Sequence, residues 1–296
     1  ARTPSGPSID SRNSMNRFRA LLWDADAIAR NANARDPAFG ITSRAASRRL
    51  PFRLLRYWFM ERLLREEAAR RGRRLRVLEI GVDRGQLKAF VDGTDGPPPY
   101  RAWDAADCAL DAVRLGALGY GQLYPVDLER PDEIDRLVRS GVHGRYDAIV
   151  LLHVLEHLHE PEDVLGSVSR LLRPDGVVLG GFPVVPDWLA PWRERQLRRS
   201  ARPFGHVSAF SARRLDRMAL ANGLHPEFRA GAFALRASGA RIEDSSAWLK
   251  ANLLFGATFP SWPGEIYWRL RRIAPATEPA RASPARPVIA NPGRIL

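Results

Sequence analysis

From Leu75 onward, short apolar runs alternate with segments whose apolar residues recur every three or four positions. "RLRVLEI" reads as a buried strand, and "GQLKAFVDG" as a short helix broken at Gly93. The pattern predicts a second strand over Tyr100–Trp103, and a helix in "ADCALDAVRLGALG" closed by Gly116 or Gly119. "GQLYPVDLE" predicts a third strand and "PDEIDRLVRSG" a helix with Pro131 in its first turn. "YDAIVLLHV" is almost continuously apolar and reads as a fourth strand. "PEDVLGSVSRLLRPDG" predicts a helix ended by Pro174–Gly176, and "VVLGGFP" a fifth strand. "SARRLDRMALANG" is a helix capped by Ser211, with Gly223 past its end. Repeated strand–helix units with continuous apolar strands require a parallel sheet covered on both faces.

The ends are less regular. "LHPEFRAG" reads as a sixth strand, "SSAWLKANLLFGATFP" as a helix and Glu265–Arg271 as the closing strand. Residues 1–45 are polar and read as a flexible tail holding one short helix over Met15–Arg30. Residues 46–74 form an amphipathic helix with a basic rim, with Leu54, Leu55, Trp58, Phe59 and Leu63 at helical spacing. The main domain is expected over 75–272, with an apolar and aromatic insertion near 231–262. Residues 273–296 are rich in Pro and Ala and read as disordered.

Composition narrows the classes. The chain has 296 residues, enough for one large α/β domain with extensions. No run approaches the roughly 20 apolar residues that span a bilayer. The first residues lack the apolar core of a secretory signal, and Met15 stands as a candidate start. The single cysteine, Cys108, excludes an intramolecular disulfide and any multi-cysteine metal site, and reads as a small apolar residue on a helix. The net charge is +13, carried almost wholly by arginine, since Lys88 and Lys250 are the only lysines. Such a charge raises two readings, nucleic acid and an anionic membrane surface. The first is disfavoured; the second is kept as weak peripheral contact through the basic helix at 46–74.

The chemistry begins at "VLEIGVDRG", Val77–Gly85. In an open parallel sheet, ligands bind beyond the carboxyl ends of the strands, where strand order reverses. Gly81 and Gly85 let the backbone approach a ligand there. A dinucleotide fold would carry G-x-G-x-x-G for a pyrophosphate. Here Asp83 stands where a second glycine is expected, and Glu79 adds a second carboxylate; both suit a cationic ligand. The stretch resembles the first motif of class I S-adenosylmethionine-dependent methyltransferases. "YDAIVLLHVLEHLHEPEDVLGSVSRLLRPDGVVLGGFP" and "GHVSAFSARRLDRMALANGL" are similar to the ubiquinone-biosynthesis O-methyltransferase type of that class. The likeness spans about Leu75–Leu224.

The resemblance implies a doubly wound, mostly parallel, seven-strand-type Rossmann-like sheet with an N-terminal helical extension, and S-adenosyl-L-methionine as cofactor. It implies that Glu79, Gly81 and Gly85 line the cofactor's amino-acid end, Glu79 also being able merely to cap the turn. Asp104 is expected to end the second strand and take the ribose hydroxyls, with Asp107 as its rival. Asp127 and the adjoining Leu128 are expected at the adenine. His153 emerges at the ligand face, as a cofactor wall or a catalytic base; His206 is the other candidate base. His157 reads as a structural hydrogen-bonding group. Trp188, Trp192 and Phe204 either wall a pocket or pack the extra segments onto the core. The expected activity is methyl transfer to a small, hydroxyl-bearing, partly apolar acceptor, in the cytoplasm or associated with a membrane, without a metal. The alternatives are a non-catalytic binding or scaffold protein on the same fold, an RNA methyltransferase, and an NAD-type Rossmann oxidoreductase.

Overall fold

The computed structural model describes residues 17–33, 50–200, 202–203, 205–232, 242, 245–262 and 264–273. The rest of the expected tails, residues 233–241 of the insertion, and Phe204 lie outside them. Seven strands form one sheet in the order β3-β2-β1-β4-β5-β7-β6. The strands are β1 Leu75–Ile80, β2 Tyr100–Asp107, β3 Leu123–Pro125, β4 Tyr146–Leu152, β5 Leu172–Val184, β6 Leu224–Ala232 and β7 Gly264–Arg272. Neighbours from β3 to β5 pair in parallel, while β7 runs antiparallel to both β5 and β6. The helices are α1 Leu50–Arg71, α2 Gln86–Asp92, α3 Ala112–Ala117, α4 Pro131–Leu137, α5 Pro161–Ser169, α6 Ala190–Arg199, α7 Ala212–Ala221 and α8 Ser246–Thr258.

The period-2 geometry of a strand sends successive side chains to opposite faces. Val77, Ala148 and Val177 enter one buried cluster; Leu78, Ile149 and Val178 enter the other. That is why β1 and β4 are apolar without alternation. The first cluster also takes Leu54, Leu55, Trp58, Phe59 and Leu63 of α1. The apolar stripe expected of an amphipathic helix is therefore buried in the protein.

Three local expectations change. Residues 17–33, expected within a flexible tail, are packed on the domain. Trp23 stacks on Phe228 with ring centroids 5.5 Å apart, and its Nε1 donates to Glu66 Oε1 at 3.1 Å. Trp58 Nε1 donates to the Asp24 carbonyl at 3.1 Å. The segment holds a 3-10 turn, Phe18–Leu22, and a single helical turn, Ala27–Arg30, because Trp23 between them is extended to reach the core. Second, α5 stops at Ser169 and β5 begins at Leu172, its register shifting around Asp175. Third, β2 continues to Asp107 rather than ending at Trp103.

Buried carboxylates tie the layers together. Glu67 of α1 accepts from Arg70, from Arg71 Nε at 2.6 Å and from Arg271 Nη2 of β7 at 2.9 Å. Burial works against ionisation of Glu67, but these guanidinium groups outweigh it and hold the carboxyl down at about 2. Asp147 of β4 accepts from Arg73 Nη2 at 2.6 Å and from the Arg76 amide at 2.9 Å.

Candidate functional site

Strand order reverses between β1 and β4, so the crevice beyond their carboxyl ends is where a ligand is expected. Two adjoining cavities open there. The larger, about 680 Å³, is bounded by Gly81, Asp107, Asp127, Leu128, His153 and Val207, among others. The smaller, about 210 Å³, is bounded by Arg56, Glu79, Gly81, Gln86 and His153. Gly81, Asp83 and His153 border both.

Gly81 leaves β1 with φ of 75°, which a side chain rarely adopts, and an added Cβ would strike Val154. Asp83, in the place of a common family glycine, also has positive φ, 47°. The loop keeps a glycine-like backbone there and presents a carboxylate. Gly85, φ 74°, is the N-cap of α2, and a Cβ there would meet Leu118 at 2.6 Å. It shapes the turn and borders neither cavity, so it is not brought to the crevice.

Glu79 is buried and accepts from Trp103 Nε1 at 2.9 Å and from the Tyr120 hydroxyl at 2.7 Å. Burial pushes its carboxyl up to about 7, even though those two donors and the Lys88 charge act the other way. A carboxyl so poised gains by meeting a cation.

Asp104 does not reach the crevice. It lies inside β2, opposite Leu78, and is buried. Its Oδ2 accepts from Arg76 Nη2 and from the Tyr146 hydroxyl, both at 2.9 Å; its Oδ1 accepts from the Gln122 amide at 2.9 Å. Both oxygens are engaged on protein groups. The strand runs four residues further than expected and delivers Asp107 to the mouth. The Asp107 carboxylate accepts long hydrogen bonds from the amides of Asp83 at 3.4 Å and Ala109 at 3.5 Å, and the Cys108 thiol also hydrogen-bonds to it. The alanines of "WDAAD" fit a strand or a turn equally well, so the sequence alone does not place the strand's end. Cys108 is exposed and borders the larger cavity in the turn after β2, not on a helix.

Asp127 follows β3 and borders the larger cavity with Leu128; its Oδ1 accepts from the Glu129 amide at 3.0 Å. The loop Asp107–Cys108 and the segment Val126–Leu128 thus set acids and apolar groups side by side.

His153 ends β4 with φ of 57°, its amide donating to the Gly181 carbonyl at 2.8 Å. Its Nδ1 lies 2.9 Å from Glu156 Oε1, and its Nε2 3.5 Å from Glu265 Oε2 on β7. Burial favours the neutral ring, yet the two carboxylates prevail and the pKa is raised. A ring held toward imidazolium is a poor proton acceptor, which counts against His153 as the base. Glu265 also accepts from Arg56 Nη2 at 3.3 Å and from the Tyr267 hydroxyl. The antiparallel strand's contribution to this floor was not foreseen, because β7 pairs with β5 only in the tertiary structure.

His157 Nδ1 lies 3.1 Å from the Gly205 carbonyl, to which the ring N–H donates, fastening the turn after β4 to the 202–207 loop. His206 stacks edge-on against it, centroids 4.8 Å apart. Burial lowers the His206 pKa, outweighing the opposing pull of the Glu156 carboxylate. Its ring is neutral near pH 7 and able to accept a proton. One ligand-type atom each of Glu156, His157 and His206 lie within 4.8 Å of one another, a donor set a divalent cation accepts. Trp188 and Trp192 are exposed and wall neither cavity.

The family model described as "Methyltransferase domain" matches residues 52–227. No curated protein matches the chain. Among solved structures, a methyltransferase of Bacillus halodurans C-125 is 14% identical, with TM-score 0.45, covering 68% of this chain and 94% of that one. The Burkholderia thailandensis 1,6-didemethyltoxoflavin-N1-methyltransferase, solved with 1,6-didemethyltoxoflavin and S-adenosylhomocysteine, is 15% identical, with TM-score 0.43, covering 93% and 94%. The CurJ carbon methyltransferase is 13% identical, with TM-score 0.50, covering 91% and 72%. At 13% identity, the likeness to the CurJ carbon methyltransferase concerns the fold alone.

Proposed function

The chain belongs to the methyltransferase-domain family whose model spans residues 52–227, and from that premise we propose that it transfers a methyl group from S-adenosyl-L-methionine to a small, hydroxyl-bearing, partly apolar acceptor. One observation carries the reading: carboxylates at successive strand ends, Asp107 and Asp127, flank the switch-point crevice, with the buried Glu79 at its other end. This pattern fits a cationic nucleoside better than a dinucleotide, whose pyrophosphate the same acids would repel. The assignment is residue by residue. Asp107 takes the ribose hydroxyls in place of Asp104. Asp127 and Leu128 hold the base. Glu79 and the Gly81 backbone face the amino-acid end.

The donor supplies a methyl already activated by its sulfonium. The chain's own part is to align the acceptor and exclude water. His206 borders neither cavity itself, but it packs edge-on against His157, which lines the larger one, and its neutral ring is the proposed acceptor of the substrate's proton there. His153, clamped between Glu156 and Glu265, orients the floor of the site. The likeness to ubiquinone-type O-methyltransferases rests on sequence motifs and supports oxygen as the acceptor atom. The catalytic domain is assigned to 75–272, with α1 as its cover. No described helix is long and apolar enough to cross a membrane, and the apolar residues of α1 are engaged in the core.

The test is calorimetry with S-adenosylhomocysteine, followed by radiolabel transfer from the methyl donor into an extract of small molecules. Saturable binding with label appearing in a hydroxylated product supports the proposal. Binding without any labelled product would favour the scaffold reading, and binding of NAD in its stead would end it.

A further inference from the structure

A second cleft, of about 800 Å³, lies between α6 and α7, outside the switch-point crevice. Six arginines border it: Arg195, Arg198 and Arg199 from α6, and Arg213, Arg214 and Arg217 from α7. Only two carboxylates, Asp187 and Glu194, share the lining. Elsewhere the buried acids hold their arginines in close pairs, as Glu67 and Asp147 do. Here the acids are already committed. Glu194 pairs with Arg198 at 2.9 Å and with Arg214, which Glu162 also holds at 2.8 Å. Asp187 stands 3.9 Å from Arg213. Arg195, Arg199 and Arg217 make no ion pair or side-chain hydrogen bond among the described residues.

The spacing adds to the excess. Arg195 and Arg199 are four apart on α6, and Arg213 and Arg217 four apart on α7. Each pair stacks like charges on one helix face, which destabilises a helix. The two pairs line the same cleft. Arg214 is the ordered centre: its guanidinium lies 4.8 Å from the Phe210 ring centroid, and its Nη1 donates to the Ala209 carbonyl at 2.9 Å. Ser211, the N-cap of α7, opens onto the same space. A concave, cationic wall concentrates anions. Guanidinium forks match phosphoryl oxygens two at a time.

We propose that the α6–α7 cleft is a binding site for a diphosphate or similarly multiply charged phosphoryl group on a soluble small molecule. The inference stands apart from methyl transfer and does not rest on it. Concavity favours a compact ligand over a flat anionic surface, and the volume exceeds what one phosphate fills.

The full chain is titrated calorimetrically with inorganic pyrophosphate and, separately, with orthophosphate at low salt. Saturable pyrophosphate binding at least about tenfold tighter than orthophosphate is expected. The Arg195→Gln/Arg217→Gln double variant should weaken it at least about tenfold, with melting temperature and S-adenosylhomocysteine binding unchanged; both side chains are exposed, so the fold does not depend on them. Arg101→Gln, exposed and outside the cleft, should bind like the unaltered chain. Absence of saturable binding, or equal losses in both variants, overturns the site. Attachment to vesicles rich in anionic lipid without pyrophosphate binding also overturns it, and reassigns the arginines to a membrane-facing surface.

Discussion

Asp104 and Asp107 stand three residues apart and serve different ends, because one lies within β2 and the other at its mouth. Removing Asp104 strands Arg76 and the Tyr146 hydroxyl. Breaking a buried pair of this kind costs about 3 kcal/mol or more. Asp104→Ala should thus lower the urea midpoint. Asp107→Ala should leave stability nearly unchanged and weaken S-adenosylhomocysteine by about 10²-fold, the loss of a bidentate charged hydrogen bond. Calorimetry beside urea melts separates the two; a fully stable Asp104→Ala that loses binding would restore the first assignment. Glu79 makes a pH prediction. Its folded pKa, about 7, lies above the 4.5 of an ordinary glutamate. The associated stability is present below pH 4.5 and is lost as pH rises through 7. Glu79→Gln should flatten that dependence in thermal melts across pH 5–8. A cationic ligand pulls the pKa back down, so donor binding near pH 7 should release a proton. Binding heats that do not vary with buffer ionisation enthalpy would refute it. Of these residue-scale points, Glu79 and Gly81 were readable from "VLEIGVDRG", whereas Asp104 was misplaced because strand length is poorly encoded where small residues follow.

At the scale of elements, α1 is fastened to β7 through Glu67 and Arg271. The depressed Glu67 carboxyl, about 2 against an ordinary 4.5, contributes about 3 kcal/mol above pH 4.5, lost as pH falls toward 2. Glu67→Gln should remove that acid-labile stability and, at pH 7, lower the urea midpoint. α8 crosses β6 where Gly256 meets Gly231 backbone to backbone, with no room for a Cβ. Gly256→Val should lose about 1–3 kcal/mol by overpacking, read from the same melts. Periodicity revealed nearly every element, since buried strands and amphipathic helices carry their own signals. It failed at α6, for which no helix was expected in the long stretch after β5, and where an element is short and stabilised from outside. Residues 18–30 are a short, mostly apolar stretch inside a polar 1–45, and Ala20, Trp23 and Ile28 are buried.

At the scale of the molecule, the amino-terminal segment closes the first core cluster over Trp58, Phe59 and Phe228. Trp23→Ala should cost about 3–5 kcal/mol, and an unchanged denaturation midpoint would show the segment to be dispensable. The +13 charge was visible from composition, but composition could not place it. Some arginines meet acids, as Arg271 meets Glu67, and six gather in the α6–α7 cleft, a division that only the packing of elements decides. The sequence by itself determined the sheet, its covering helices and the glycine turn after the first strand, because apolar period and backbone freedom are local properties. Tertiary structure alone decided which aspartate reaches the crevice, which histidine stays neutral, and which arginines lack an acid partner among the described residues. Those outcomes depend on strand register, burial and the approach of β7, all made between residues distant in the chain.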